Sequence, residues 1–148
     1  MAQATIGSIS EGTLRSEDLI EAFLWELRRL SPQAADGIEA AYPDYADAEE
    51  DSEFWDDVAP DMVAALFDAL NTFAPAFCTF GATEGDGSCF GFWPDLESAR
   101  EESLVVNDTD DPRIATSVFE YVMDVNDHGN VTLYRRDGAN LIEEWSIV

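Results

Sequence analysis

Seven carboxylates fall within residues 49–61: Glu49, Glu50, Asp51, Glu53, Asp56, Asp57 and Asp61. No lysine or arginine lies among them, although like charges four apart on a helix repel and an ordinary solvated helix relieves this with interspersed cations. A row of fixed carboxylates imitates duplex DNA, which carries about one negative charge per 1.7 Å of axis. Such a row can occupy the cationic groove of a nucleic-acid-binding protein. The competing reading is an acidic surface that serves solubility, generic or of the halophile type.

Two further groups could carry chemistry. Glu84-Gly85-Asp86-Gly87 places oxygen ligands beside glycines, as a hard-cation loop does, but the D-x-[DN]-x-[DN]-G spacing with its distal glutamate is absent. The same four residues are ordinary turn formers. His128, the one histidine, sits in Asn126-Asp127-His128-Gly129-Asn130 and beside Asp127 could act as a general base or a metal ligand. A small metal-dependent enzyme would use Glu84, Asp86, Asp127 and His128, provided both loops lie at the same end of a sheet. There is no second histidine, and Cys78 and Cys89 lack zinc-site spacing. Nor is there a nucleophile elbow, a phosphate loop or an H-E-x-x-H pattern. The sequence is therefore read as a non-enzyme without a cofactor, with both loops serving as turns.

Charge narrows the partners. Against 32 acids the 148-residue chain sets seven basic side chains, all arginine, for a formal net charge of −25. Residues 30–99 contain no basic residue and sixteen carboxylates. That balance excludes a protein that holds nucleic acid by neutralising phosphates, and it excludes attraction to anionic membranes. A basic nucleic-acid-binding protein is the expected partner. Self-repulsion at this charge needs compensation from a partner, salt or a strong core. The 46% apolar and 11% aromatic content supplies the core. A GC-rich genome would also replace lysine with arginine.

The elements that must position these groups follow from periodicity. Residues 17–30, preceded by Ser16 as N-cap, put Leu19, Ile20, Phe23, Leu24, Leu27 and Leu30 on one helical stripe. Ser31-Pro32 reads as a cap and first position of a second helix. A third is expected from Ser52, burying Phe54, Trp55 and Val58, with Pro60 kinking it or opening a fourth that ends before Pro75. Beyond Pro75 the period turns to two. Residues 77–82 and 88–93 read as a hairpin around a five-residue loop, and residues 118–125, 131–135 and 141–148 as a meander. A brief helix over 97–102 and a short strand over 103–106 lie between. The glycine in Phe90-Gly91-Phe92 leaves room for close approach by a partner.

The expected fold is α+β, with N-terminal helices packed on a C-terminal antiparallel sheet of about five strands. It is one domain: residues 1–15 mobile, 16–74 helical and 77–148 mainly sheet. The first residues carry no secretory pattern and no apolar run is long enough to span a bilayer, so a cytoplasmic protein is expected, with free thiols at Cys78 and Cys89. Sheet edges allow a homodimer and repulsion favours a monomer.

Two segments, FGATEGDGSCFGFWP at residues 80–94 and VNDHGNVTLY at residues 125–134, resemble the signature loops of small uncharacterised acidic proteins carried by phages and mobile elements. The likeness covers the C-terminal half and implies a phage-type role without an attached activity. In charge alone the chain is similar to DNA-mimic inhibitors of restriction and CRISPR enzymes.

Overall fold

A computed structural model describes residues 3–49 and 52–147. The chain divides into two compact units, one formed by Met1–Ala74 with Thr79–Trp93 and the other by Pro75–Cys78 with Pro94–Val148.

In the first unit, helix α1 (Ser16–Leu30) buries the predicted stripe, with Ile20, Phe23 and Leu27 fully enclosed. Glu17 and Asp18 begin it and Arg28 and Arg29 end it, as its dipole favours. Its N-cap is Arg15 rather than Ser16, and the Thr13 hydroxyl donates to Asp18 Oδ2 at 2.7 Å. Helix α2 (Pro32–Ala41) opens as predicted, with Ser31 Oγ accepting from Ala34 N at 3.2 Å. A 3-10 turn (Pro43–Tyr45) leads to the short helix α3 (Phe54–Asp57), and α4 (Ala59–Thr72) carries Pro60 in its first turn.

These helices pack on a three-stranded sheet of order β1-β3-β2, made of β1 (Gly7–Ser10), β2 (Cys78–Thr83) and β3 (Asp86–Pro94). Phe23 is the hub of the core. It meets Phe67, Phe80 and Phe90 edge-on at ring-centre distances of 5.7, 5.0 and 5.6 Å. Each such pair adds about 0.5–1.5 kcal/mol beyond simple burial. Strand β1 lies in the stretch expected to be mobile. It has little strand propensity of its own and is held by antiparallel pairing with β3, Gly7 opposite Phe92 and Ser8 opposite Gly91, with a bulge before Ser10. The room left by Gly91 is thus filled by the chain itself: a Cβ there would sit 2.8 Å from Gly7 C and Ser8 Cα, and closer still to Gly7 O. The β2–β3 connection is tighter than the expected five-residue loop, turning at Glu84-Gly85 with Gly85 at φ +88°.

The second unit holds a four-stranded sheet of order β4-β5-β6-β7, formed by β4 (Ser103–Val106), β5 (Tyr121–Val125), β6 (Val131–Asp137) and β7 (Asn140–Ile147). It also contains the short helices α5 (Leu96–Glu101) and α6 (Arg113–Thr116). The α+β class stands, but the sheet is not one antiparallel array of about five strands. The strands divide between two separate sheets, and β4 runs parallel to β5. A parallel pair needs a crossover connection, and here it passes through α6. Arg136 on β6 fastens that crossover: its guanidinium donates to the carbonyls of Ser117, at 2.8 Å, and Ile114.

The tetrapeptide Pro75–Cys78 belongs to this second unit although the first unit's chain flanks it on both sides. Trp145 Nε1 donates to Ala76 O at 2.7 Å, the Phe77 ring packs edge-on against Tyr121 at 4.9 Å, and Asp95 N donates to Phe77 O at 2.7 Å. Phe77 takes φ +60°, a left-handed conformation costly for a bulky side chain and held by these three contacts.

Candidate partner-binding surface

The backbone of residues 42–61 is organised from within. Ser52 Oγ accepts from Phe54 N at 3.1 Å and so starts α3, while Trp55 Nε1 reaches back to Glu49 O at 2.8 Å. Phe54 is buried in the helical core, and its ring, with those of Tyr45 and Trp55, forms a cluster at centre distances of 5.0–6.3 Å. Tyr42 Oη donates to Asp61 O at 3.2 Å. Aromatic packing thus anchors the segment and turns its carboxylates outward.

Of the seven predicted residues, Glu49, Glu53, Asp56, Asp57 and Asp61 are exposed; Glu50 and Asp51 lie outside the described residues. Glu53 and Asp57, four apart, share a face. They line a concavity of about 400 Å³ with Asp44, Asp47, Ala48, Ser52, Phe54 and Val58. Asp56 and Asp61 are not part of this lining. The expected helix from Ser52 is interrupted at Val58, whose φ of −111° separates the four residues of α3 from α4. The acidic residues therefore form a rimmed depression plus outliers instead of one straight row. Asp44 and Asp47 join it because the 3-10 turn at Pro43–Tyr45 brings them round, a signal present in Tyr42-Pro43-Asp44 but readable only with the fold.

Among the described residues, none of these carboxylates forms an ion pair. Arg28 pairs with Asp36 and Glu39, Arg29 with Glu26, Arg113 with Asp111 and Arg135 with Glu144. The Tyr45 phenol is held above its ordinary pKa by desolvation and then by the charges of Glu21 on α1 and Glu39 on α2.

The two other candidate groups do local work. Asp86 Oδ1 accepts from Ser88 N at 3.0 Å and Ser88 Oγ at 2.9 Å, which lowers its pKa. Asn126 Oδ1 accepts from His128 N at 2.9 Å and Asn130 N at 3.0 Å, closing the β5–β6 turn. Glu84 and Asp86 belong to the first unit, Asp127 and His128 to the second. Among the described residues no group of three or more His, Cys, Asp or Glu side chains is placed to hold a metal ion. Cys78 and Cys89 are free thiols. No helix among the described residues is long and apolar enough to cross a membrane.

Fold and surface together define an α+β protein that presents an acidic depression, unpaired among the described residues, on an aromatic buttress. Comparison with protein families, curated proteins and solved structures finds no match to this chain.

Proposed function

We propose that the protein is an acidic inhibitor that binds a basic nucleic-acid-processing protein in place of its DNA or RNA. The observation that carries this reading is the depression lined by Asp44, Asp47, Glu53 and Asp57, exposed and unpaired among the described residues, while five arginines are paired with other acids. Mutual repulsion of unneutralised carboxylates costs stability, and a cationic groove seated on them relieves it. Glu49, Asp56 and Asp61 extend the field around the depression. Attraction between a chain of net charge −25 and a cationic groove makes association fast at low salt and slower as salt screens it. In this reading the protein acts in the cytoplasm without a cofactor. Its resemblance to phage and mobile-element proteins makes an anti-defence role, against restriction or CRISPR enzymes, the natural setting.

The test is affinity capture from cells at about 0.15 M salt, followed by competition. The captured protein should be basic, and added duplex DNA or RNA should release it. Changing Asp44, Glu53 and Asp57 together to lysine should lower affinity by more than about tenfold while leaving the circular-dichroism spectrum intact. A partner that binds this chain and nucleic acid simultaneously, or that ignores the triple reversal, refutes the proposal.

A further inference from the structure

Trp25 lies off the buried stripe of α1 and is 68% exposed, unusual for a side chain that buries more apolar area than any other. It stands in a shallow, open groove of about 380 Å³ lined also by Ile9 on β1 and Asp18, Glu21 and Ala22 on α1. The spacing explains the arrangement: Asp18, Glu21, Ala22 and Trp25 recur at three- and four-residue steps, so they share one face of the helix. Ile9 and Ala22 are apolar, Trp25 offers an indole face, and Asp18 and Glu21 supply acceptors. Asp18 is oriented by the Thr13 hydroxyl. Arg28, one turn beyond Trp25, is engaged by Asp36 and Glu39 on α2. Among the described residues Glu21 has no ion pair.

We propose that this groove receives an arginine side chain presented by a basic partner polypeptide. A guanidinium is planar and weakly hydrated, so it stacks on the indole of Trp25 while its edge donates to the carboxylates of Glu21 and Asp18. The methylene stem lies against Ile9 and Ala22. A lysine ammonium fits the charge but gives up the stacking. A second copy of this chain is a poor occupant, since each copy brings a net charge of −25. The groove is made of residues distinct from the acidic depression and does not depend on it.

The test uses peptides of eight arginines and of eight lysines, titrated against the full chain by calorimetry at about 0.15 M salt. The arginine peptide should bind roughly three- to fivefold more tightly than the lysine peptide, and Trp25→Ala should erase that difference. Glu21→Gln should weaken the arginine peptide more than Asp68→Asn, which removes one charge elsewhere on the surface. Equal affinity for the two peptides in the unsubstituted protein overturns the proposal. So does a change of less than twofold on Trp25→Ala, or a dimer in sedimentation that Trp25→Ala dissolves. Lysine reversal of Asp44, Glu53 and Asp57 should leave the arginine-over-lysine ratio unchanged, which separates failure of this groove from failure of the acidic depression.

Discussion

Gly91→Ala tests the junction on which both the core sheet and the tryptophan groove depend. The added methyl would lie 2.8 Å from Gly7 C and Ser8 Cα, where ordinary contacts begin near 3.4 Å, and all these atoms are backbone that cannot rotate away. Because Gly7 O lies closer still, strand β1 must retreat by about an ångström or more, enough to break cross-strand hydrogen bonds whose N···O distances cluster near 2.9–3.0 Å. Overpacking of this kind costs about 1–3 kcal/mol. The penalty has a ceiling, because once β1 detaches its lost bonds, about 0.5–1.5 kcal/mol each, are offset by about 1–2 kcal/mol of backbone entropy regained per freed residue. The expected outcome is about 1–3 kcal/mol less stability in urea, near-native circular dichroism, and loss of hydrogen-exchange protection in β1. Deleting residues 1–10 first should make Gly91→Ala nearly neutral, a coupling that a double-mutant cycle reads directly. With β1 gone the groove loses Ile9, so the arginine peptide should also bind more weakly. Unchanged stability together with protected β1 amides would refute this account.

Further outcomes can be checked independently. The aromatic core around Phe23 should keep the helical circular-dichroism signal at about 0.1 M salt; a chain that unfolds there and refolds near 2 M would be halophilic instead. Glu26 is 2% exposed and receives Arg29 Nε at 3.0 Å, so Glu26→Gln should cost about 1–2 kcal/mol in urea denaturation, less than a fully buried pair because Arg29 reaches water. Burial pushes the Cys78 thiol up to about 12, and burial with Glu11 raises that of Cys89, so neither should react with iodoacetamide at about pH 8 until denaturant is added. Asp95 caps α5 through Ser98 N and Oγ, which hold its pKa below the usual value. Its contribution to stability is present above the ordinary carboxylate pKa of about 3.9 and is lost as pH falls through the depressed one. Asp95→Asn should flatten that part of the acid-unfolding curve.

Local features were legible in the sequence and long-range pairings were not. The spacing of Leu19 to Leu30 defines α1 and Ser31-Pro32 defines the start of α2, because each depends on neighbours within a turn or two, and the strand over 103–106 also lies where expected. Strand β1 was missed because its ordering comes from Phe90, Gly91 and Phe92, some eighty positions away. The parallel β4–β5 pair depends on a crossover fixed by Arg136, which no hydrophobic pattern encodes. At the candidate surface, the outward carboxylates 53, 56, 57 and 61 follow from the apolar positions between them. Their gathering with Asp44 and Asp47 around a depression depends on the packing of Tyr45 on Phe54 and Trp55. Trp25 could have been found as the large aromatic that falls outside its helix's stripe.

The placement of Pro75–Cys78 in the second unit has a consequence for how the molecule is made. Ala76 leaves the ribosome 69 residues ahead of Trp145, the side chain that satisfies its carbonyl. Until β7 is synthesised, Phe77 must hold or await its left-handed conformation, and Ala76 O must rely on water. The second unit therefore closes late, by long-range pairing of the kind that slows folding. For the same reason no single cut releases it whole: a fragment starting at Pro94 lacks the acceptor for Trp145 and the ring that packs on Tyr121.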